Sequence, residues 1–205
     1  MVKSIVVNNG STDNTAKVAE QQGAIVVEER RRNIARARNA GAAAATAPLL
    51  FFVDADVELP VEAISTATSL MESGECVGGA IPPLYLPNKL GAQLLCRFWD
   101  WYRTRHGGAQ GVAQFCTATA FAGLNGYRTD LYMSEDVEFF QRLRQEGNRC
   151  SQPAVIVDHL RVRPSTRRYD TWPTWRMTFW QNPVTARIFL RSHRFWRHWY
   201  DTTVR

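Results

Sequence analysis

No uninterrupted apolar run in the 205 residues approaches the roughly 18 needed to cross a bilayer. The apolar part of the opening MVKSIVVNNG is too short for a signal peptide. The chain is therefore expected in the cytoplasm, with at most a peripheral attachment at the inner membrane face. Cysteine is sparse: Cys76, Cys96, Cys116 and Cys150 form no C-x-x-C and have no companion histidines at metal-ligand spacing. That excludes a zinc module, and the spacing predicts buried thiols of a reducing compartment. Internal repeats are absent, which excludes a solenoid. No glycine-rich phosphate loop followed by a basic residue stands near the N-terminus, which argues against a nucleotidyltransferase.

What is present is a hydrophobic content of 45%, enough for one sizeable core. The net charge is +6, and the sequence pI of about 9.5 implies an anionic partner. From Arg161 onward ten arginines face two acids, so the rest of the chain is close to neutral. Five of the seven tryptophans lie in that same tail, a mixture suited to a membrane interface or to a packed helix pair with a solvated basic face.

Strands and helices alternate along the chain. Ser4-Ile-Val-Val7 reads as a strand ending at Asn8-Asn-Gly10, and TAKVAEQQG follows as a helix with a Gly stop at 23. Ala24–Val27 reads as a strand, 33–47 as an alanine-rich helix, and LLFFV as a strand buried on both faces. Val61–Ser73 reads as a helix, and the Gly/Pro-rich stretch 78–88 as a break in regular structure. LGAQLLCRFWDWYRTRHGG is an aromatic, basic helix placed to cover a site. FCTATAFAGLNGY contains a strand, SEDVEFFQRLRQEG is a helix capped by Ser134, and PAVIVDHLRVRP is a last buried strand. The alternation predicts an α/β layer with a mainly parallel sheet.

In such a sheet, ligands bind beyond the carboxyl ends of the strands, where Asn8-Asn9 and Asp54-Ala-Asp56 fall. In an extended chain, Asp54 and Asp56 point the same way, and a divalent cation would relieve their repulsion. Their oxygens suit Mg2+ or Mn2+ held together with a diphosphate. The other reading is a turn with Asx hydrogen bonding. Asn9 offers an amide for a nucleobase edge, with Asn8 beside it. Asp13 either touches the nucleoside or caps the following helix. Arg38 either contacts a diphosphate or is a solvated helix arginine.

Asn8-Asn-Gly-Ser-Thr-Asp13, Ala37-Arg-Asn-Ala-Gly41, Asp54-Ala-Asp56 and Glu135-Asp136, in this order, make the chain resemble the family 2 glycosyltransferases of the GT-A fold. The resemblance runs from about Val2 to about Arg168. It implies a three-layer GT-A-like domain over residues 1–165, and composition marks 166–205 as a basic, Trp-rich helical extension. It also implies transfer of a sugar, with inversion, from a nucleotide-diphosphate donor to an acceptor hydroxyl.

By the same resemblance Asp136 is the general base, Asn8, Asn9, Asp13, Arg38, Asp54 and Glu135 bind substrate, and Asp56 and His159 hold Mn2+ or Mg2+. Arg167 and Arg168 match a basic pair facing phosphates or an anionic acceptor. The acceptor is unspecified; the Trp/Arg tail points to a lipid-linked one. Relatives carry an extra strand and helix at the start, so the sheet is expected to show an open apolar edge through which a second chain could join. Two rival readings are a truncated, non-catalytic relative that binds a nucleotide or partner, and a basic nucleic-acid-binding protein. The second has no recognised module and leaves the acids unexplained, so no nucleic-acid partner is expected.

Overall fold

The computed structural model describes residues 2–106, 111–181 and 188–196. β-Branched runs form β1 (Ile5–Asn8) and β2 (Ile25–Glu28), a parallel pair joined by α1 (Thr15–Gln21). Asn33 caps α2 (Ile34–Ala44) by accepting from the Arg36 amide, and the small residues of α2 let it lie close on β1. Next come β3 (Leu49–Val53), β4 (Val57–Glu58), α3 (Ala63–Glu72), β5 (Gly78–Ala80) and α4 (Leu90–His106). The remainder is β6 (Ala113–Thr117), α5 (Ala118–Gly123), α6 (Glu135–Arg149), β7 (Ala154–Ile156), β8 (Arg163–Pro164), α7 (Arg167–Thr171) and α8 (Thr174–Gln181).

The central sheet has the order β3-β6-β5-β7. Alternation along β6 sends Cys116 to one face and Phe115 to the other. Cys116 packs with Leu50, Phe139, Phe140 and Leu143 under α6, and Phe115 packs with Ala63, Ala67 and Ile81 under α3. These two cores give the three layers of an α/β domain. A third, smaller core joins Ala92 of α4 to Tyr169, Trp172, Met177 and Trp196. The tail tryptophans divide accordingly: Trp172 and Trp196 are buried, Trp175 is exposed, and Trp199 lies outside the described residues.

Several expectations are corrected here. The parallel pairings are β1–β2 and β5–β7, whereas β6 runs antiparallel to both of its neighbours. The LLFFV strand packs on both faces, Leu50 and Phe52 against one core and Leu49 and Phe51 against the other, but only Leu50 is fully buried and Val53 is 42% exposed, because β3 is an edge strand. Gly78-Gly-Ala80, expected as a break, is the buried strand β5. A Cβ on Gly79 would lie 2.5 Å from the Val155 carbonyl oxygen and 2.6 Å from Phe115 Cζ, so only glycine lets the neighbouring strand and ring approach so closely. The last strand is two short pieces, β7 and β8, separated by a turn. Cys76 and Cys116 are buried as expected, but Cys96 is half-buried and Cys150 is exposed beyond the end of α6.

Candidate functional site

Residues 54–57 form a turn, closed by the Val57 amide donating to the Asp54 carbonyl. Asp54 and Asp56 therefore project from a turn rather than from an extended strand, and both face one cleft. β4 pairs with β8, and the Ser165 amide donates to the Asp56 carbonyl, which brings the chain after β8 alongside. Arg167 lies 3.9 Å from the Asp56 carboxylate.

From α2, Arg38 reaches into the same place. It donates to Asp54 (2.8 Å), Glu135 (3.0 Å) and the Gly111 carbonyl (3.0 Å), and its guanidinium sits over the Tyr127 ring. Burial alone would make Arg38 easier to deprotonate, but Asp54, Tyr127, Glu135 and Asp136 outweigh it, and the guanidinium stays charged. The solvated-helix reading of Arg38 is thus replaced by a buried counter-ion.

α6 supplies Glu135 and Asp136 in its first turn, where carboxylates favour the helix dipole. Ser134 holds the N-cap position, yet its side chain makes no capping bond and its φ is +59°, in the left-handed region. The Asp136 carboxylate instead accepts from the Val137 amide (2.7 Å) and the Gly111 amide (2.5 Å). A Cβ on Gly111 would collide with Asp136, so glycine makes this cradle possible. Glu135 is buried, and its carboxyl is pushed up to about 7, first by burial, then by Asp136, with Arg38 opposing. Asp54 is also raised, mainly by burial against the pull of Arg38. Its side chain remains 41% open to the cleft, and that solvent together with the ion pair favours the carboxylate.

The cleft measures about 1690 Å³ and runs between β1 and β3. Asp54, Asp56, Asp136, Arg167 and Arg168 line it together, with Asn9 and Asp13 at the β1 end. Asn9 donates to the carbonyls of Glu29 (2.7 Å) and Arg31 (2.9 Å) and accepts from the Asn33 amide, tying the end of β1 to the loop before α2. Asn8 is buried, bonded to Glu28 and to the Ser11 amide, and does not line the cleft. Asp13 accepts from the Thr15 amide and hydroxyl at the start of α1. His159 is exposed on the turn after β7 and does not line the cleft.

Residues 2–131 match the model of a family described as Glycosyl transferase family 2, well over half of the chain. The chain belongs to that family. No curated protein matches the chain. Solved structures share its fold. A mannosyltransferase from Pyrobaculum calidifontis, in complex with GDP-Man and Mn2+, superposes with a TM-score of 0.61 at 18% identity, over 80% of this chain and 48% of that one. S. aureus TarS in complex with UDP gives 0.57 at 12% identity, over 82% and 52%. This chain thus spans about half the length of these neighbours. The GT-A-like architecture read from the motifs is the one present.

The family match covers Asn8 through Asp56, while Glu135 and Asp136 lie beyond its end. Gly111, Gln114 and Tyr127 were not singled out in the sequence. Gln114 donates to the Asp136 carbonyl (3.1 Å) and accepts from the buried Tyr127 hydroxyl (3.0 Å). Asn39, next to Arg38 in the ARN stretch, exchanges bonds with the Tyr127 backbone in both directions. That motif carried a signal for Asn39; no sequence pattern marks the other three.

Proposed function

We propose that the chain transfers a sugar from a nucleotide-diphosphate donor to an acceptor hydroxyl. The observation that carries this reading is the convergence, in one cleft, of three carboxylates from two separate parts of the chain, Asp54 and Asp56 on the turn after β3 and Asp136 at the start of α6. The cleft exceeds the roughly 300–1,000 Å³ typical of small-molecule sites, room for a donor and an acceptor end.

In this reading Asp136 takes the proton from the acceptor hydroxyl. Its two oxygens accept only one backbone amide each in the contacts above, which leaves lone pairs for an incoming O–H. Attack by that oxygen opposite the departing diphosphate inverts the anomeric carbon. Arg167, beside Asp56, and Arg168, on the same cleft wall, meet the phosphates.

The donor set suits Mg2+ or Mn2+: hard oxygen ligands, with Asp56 half exposed and Asp54 open on its cleft side. Among the described residues no group of three His, Cys, Asp or Glu stands ready as a cage, so the fit is to a cation completed by substrate phosphates. Asp54 and Asp56 would hold it, and charge neutralisation on the leaving diphosphate is what it supplies when bound. The fold neighbours solved with GDP-Man and Mn2+ and with UDP support a nucleotide-sugar donor. A second reading, a nucleotide-binding chain without turnover, is favoured by one observation: Arg38 already occupies Asp54.

Calorimetric titration of UDP, GDP and dTDP, with and without Mn2+, tests the donor reading alongside the Asp54→Ala/Asp56→Ala variant. Metal-dependent binding of one nucleotide, lost in the variant, is expected. Binding that ignores both metal and the two carboxylates would sink it. Donor consumption lost in Asp136→Asn while nucleotide binding persists separates transfer from mere binding.

A further inference from the structure

α4 is apolar on two opposite faces. One face is used by the fold: Ala92 is buried in the small C-terminal core, and Trp99 and Tyr102 line the cleft. On the other face Leu90, Leu94, Phe98 and Trp101 are 71%, 56%, 49% and 59% exposed. Their spacing of four, four and three places them on one stripe along the helix. A folded helix needs one apolar face for its core, and this second one has no partner among the described residues.

The charge around the stripe selects what would cover it. Exposed Arg97 and Arg105 fall at the same helical spacing, on or beside the stripe, and α4 carries three arginines against the single acid Asp100. α8 packs against α4, with Gly91 close to Thr174, and adds its own exposed pair four residues apart, Trp175 (72%) and Phe179 (49%). The layer that α4 joins is the arginine-rich tail. An apolar stripe flanked by arginine and tryptophan matches a bilayer interface with anionic headgroups, in which the rings and leucines enter the acyl boundary and guanidinium groups meet phosphates. A second copy of this chain would bring the same cations against each other.

The geometry points to α4, through Leu90, Leu94, Phe98 and Trp101 with Arg97 and Arg105, as a seat on an anionic membrane surface. The helix would lie in the interface plane, and its cleft-lining face would hold the site beside the headgroups. No helix among the described residues is long and apolar enough to cross the membrane, and the contact proposed for α4 lies along the surface. Binding to lipid is independent of the donor reading, because the test below contains no nucleotide.

The test is co-sedimentation of the full chain with vesicles of phosphatidylcholine alone and of phosphatidylcholine with phosphatidylglycerol, at low and high salt. Binding to the anionic vesicles, weakened by salt, is expected. Arg97→Gln/Arg105→Gln should weaken it roughly thirtyfold at low salt, from about 1 kcal/mol per basic residue near an anionic surface. Leu94→Glu/Phe98→Glu should weaken it at least tenfold with an unchanged urea midpoint, since both side chains are exposed. Should that variant fold poorly, Leu90→Gln/Trp101→Gln takes its place. No binding by the parent chain overturns the proposal, and so does binding that survives the stripe variants and falls only with tail arginines. Self-association in sedimentation velocity that Leu94→Glu abolishes, without vesicle binding, would assign the stripe to a second copy instead.

Discussion

At the scale of single residues, Arg38 joins carboxylates contributed by elements far apart in the chain: Glu135 lies 97 positions away. Its removal leaves the buried Glu135 and the part-open Asp54 without their counter-ion. Arg38→Met is therefore expected to cost about 3–5 kcal/mol in urea unfolding, the range for breaking one side of a buried ion pair. A loss below about 1 kcal/mol would mean that water already screens the cluster. Glu135 gives a signed pH prediction. Its carboxyl titrates at about 7 in the fold against an ordinary 4.5, so across that window the folded chain holds a proton that the unfolded chain has released. Its contribution thus declines as pH rises from 4.5 to about 7 and is flat above. Glu135→Gln should flatten that decline, a difference on the order of 3 kcal/mol between the ends of the window. Equal slopes for both proteins in unfolding at pH 5, 6, 7 and 8 would refute it. That Asp54, Asp56 and Asp136 share one cleft was legible because motif and position after a strand or before a helix both single them out. The buried role of Arg38 was not, because it depends on neighbours that only the tertiary fold supplies.

For the elements, β5 is the least legible and the most constrained. Three small residues carry no β-propensity signal, and their strand character comes from pairing with β6 and β7 on either side. Gly79→Ala should cost about 1–3 kcal/mol, the range for overpacking, since one of the two close neighbours is a backbone carbonyl that cannot rotate away. An unchanged thermal midpoint would show that the strands can spread. Longer elements were read well because their patterns are long. The stretch over α6 announces itself through acids in its first turn and Phe139, Phe140 and Leu143 on one face, and all three are buried. Its cap was misread. Ser134 has the right residue type in the right place, but the turn closes through Asp136 and Gly111, and the sequence does not display that contact.

Across the whole molecule, a ligand that seats in the cleft touches both the β1 side and the β3 side, so it should stabilise the fold as one unit. With Mn2+ and the preferred nucleotide at a hundred times its Kd, mass action gives about 2.7 kcal/mol. At this chain length that is a rise of roughly 5–10 °C in Tm, and a main transition left unmoved at a concentration that saturates calorimetry would mean that the two sides of the cleft do not unfold as one unit. The layer order and the cleft's place beyond the strand ends followed from the alternation of strands and helices. The sense of β6 did not, since nothing in a short apolar run states its direction. Among the described residues no strand pairs with the outer flank of β3, and this has a consequence in time rather than in space. The Asp54 amide donates to Val112 and the Ala118 amide to Pro48, which fixes the phase of the ladder: the amides of Leu50 and Phe52 point into the sheet, and those of Phe51 and Val53 point out of it. Deuterium uptake along this one strand should therefore alternate residue by residue, slow at 50 and 52 and fast at 51 and 53. Any strand that docks there, from whatever source, would silence the fast pair.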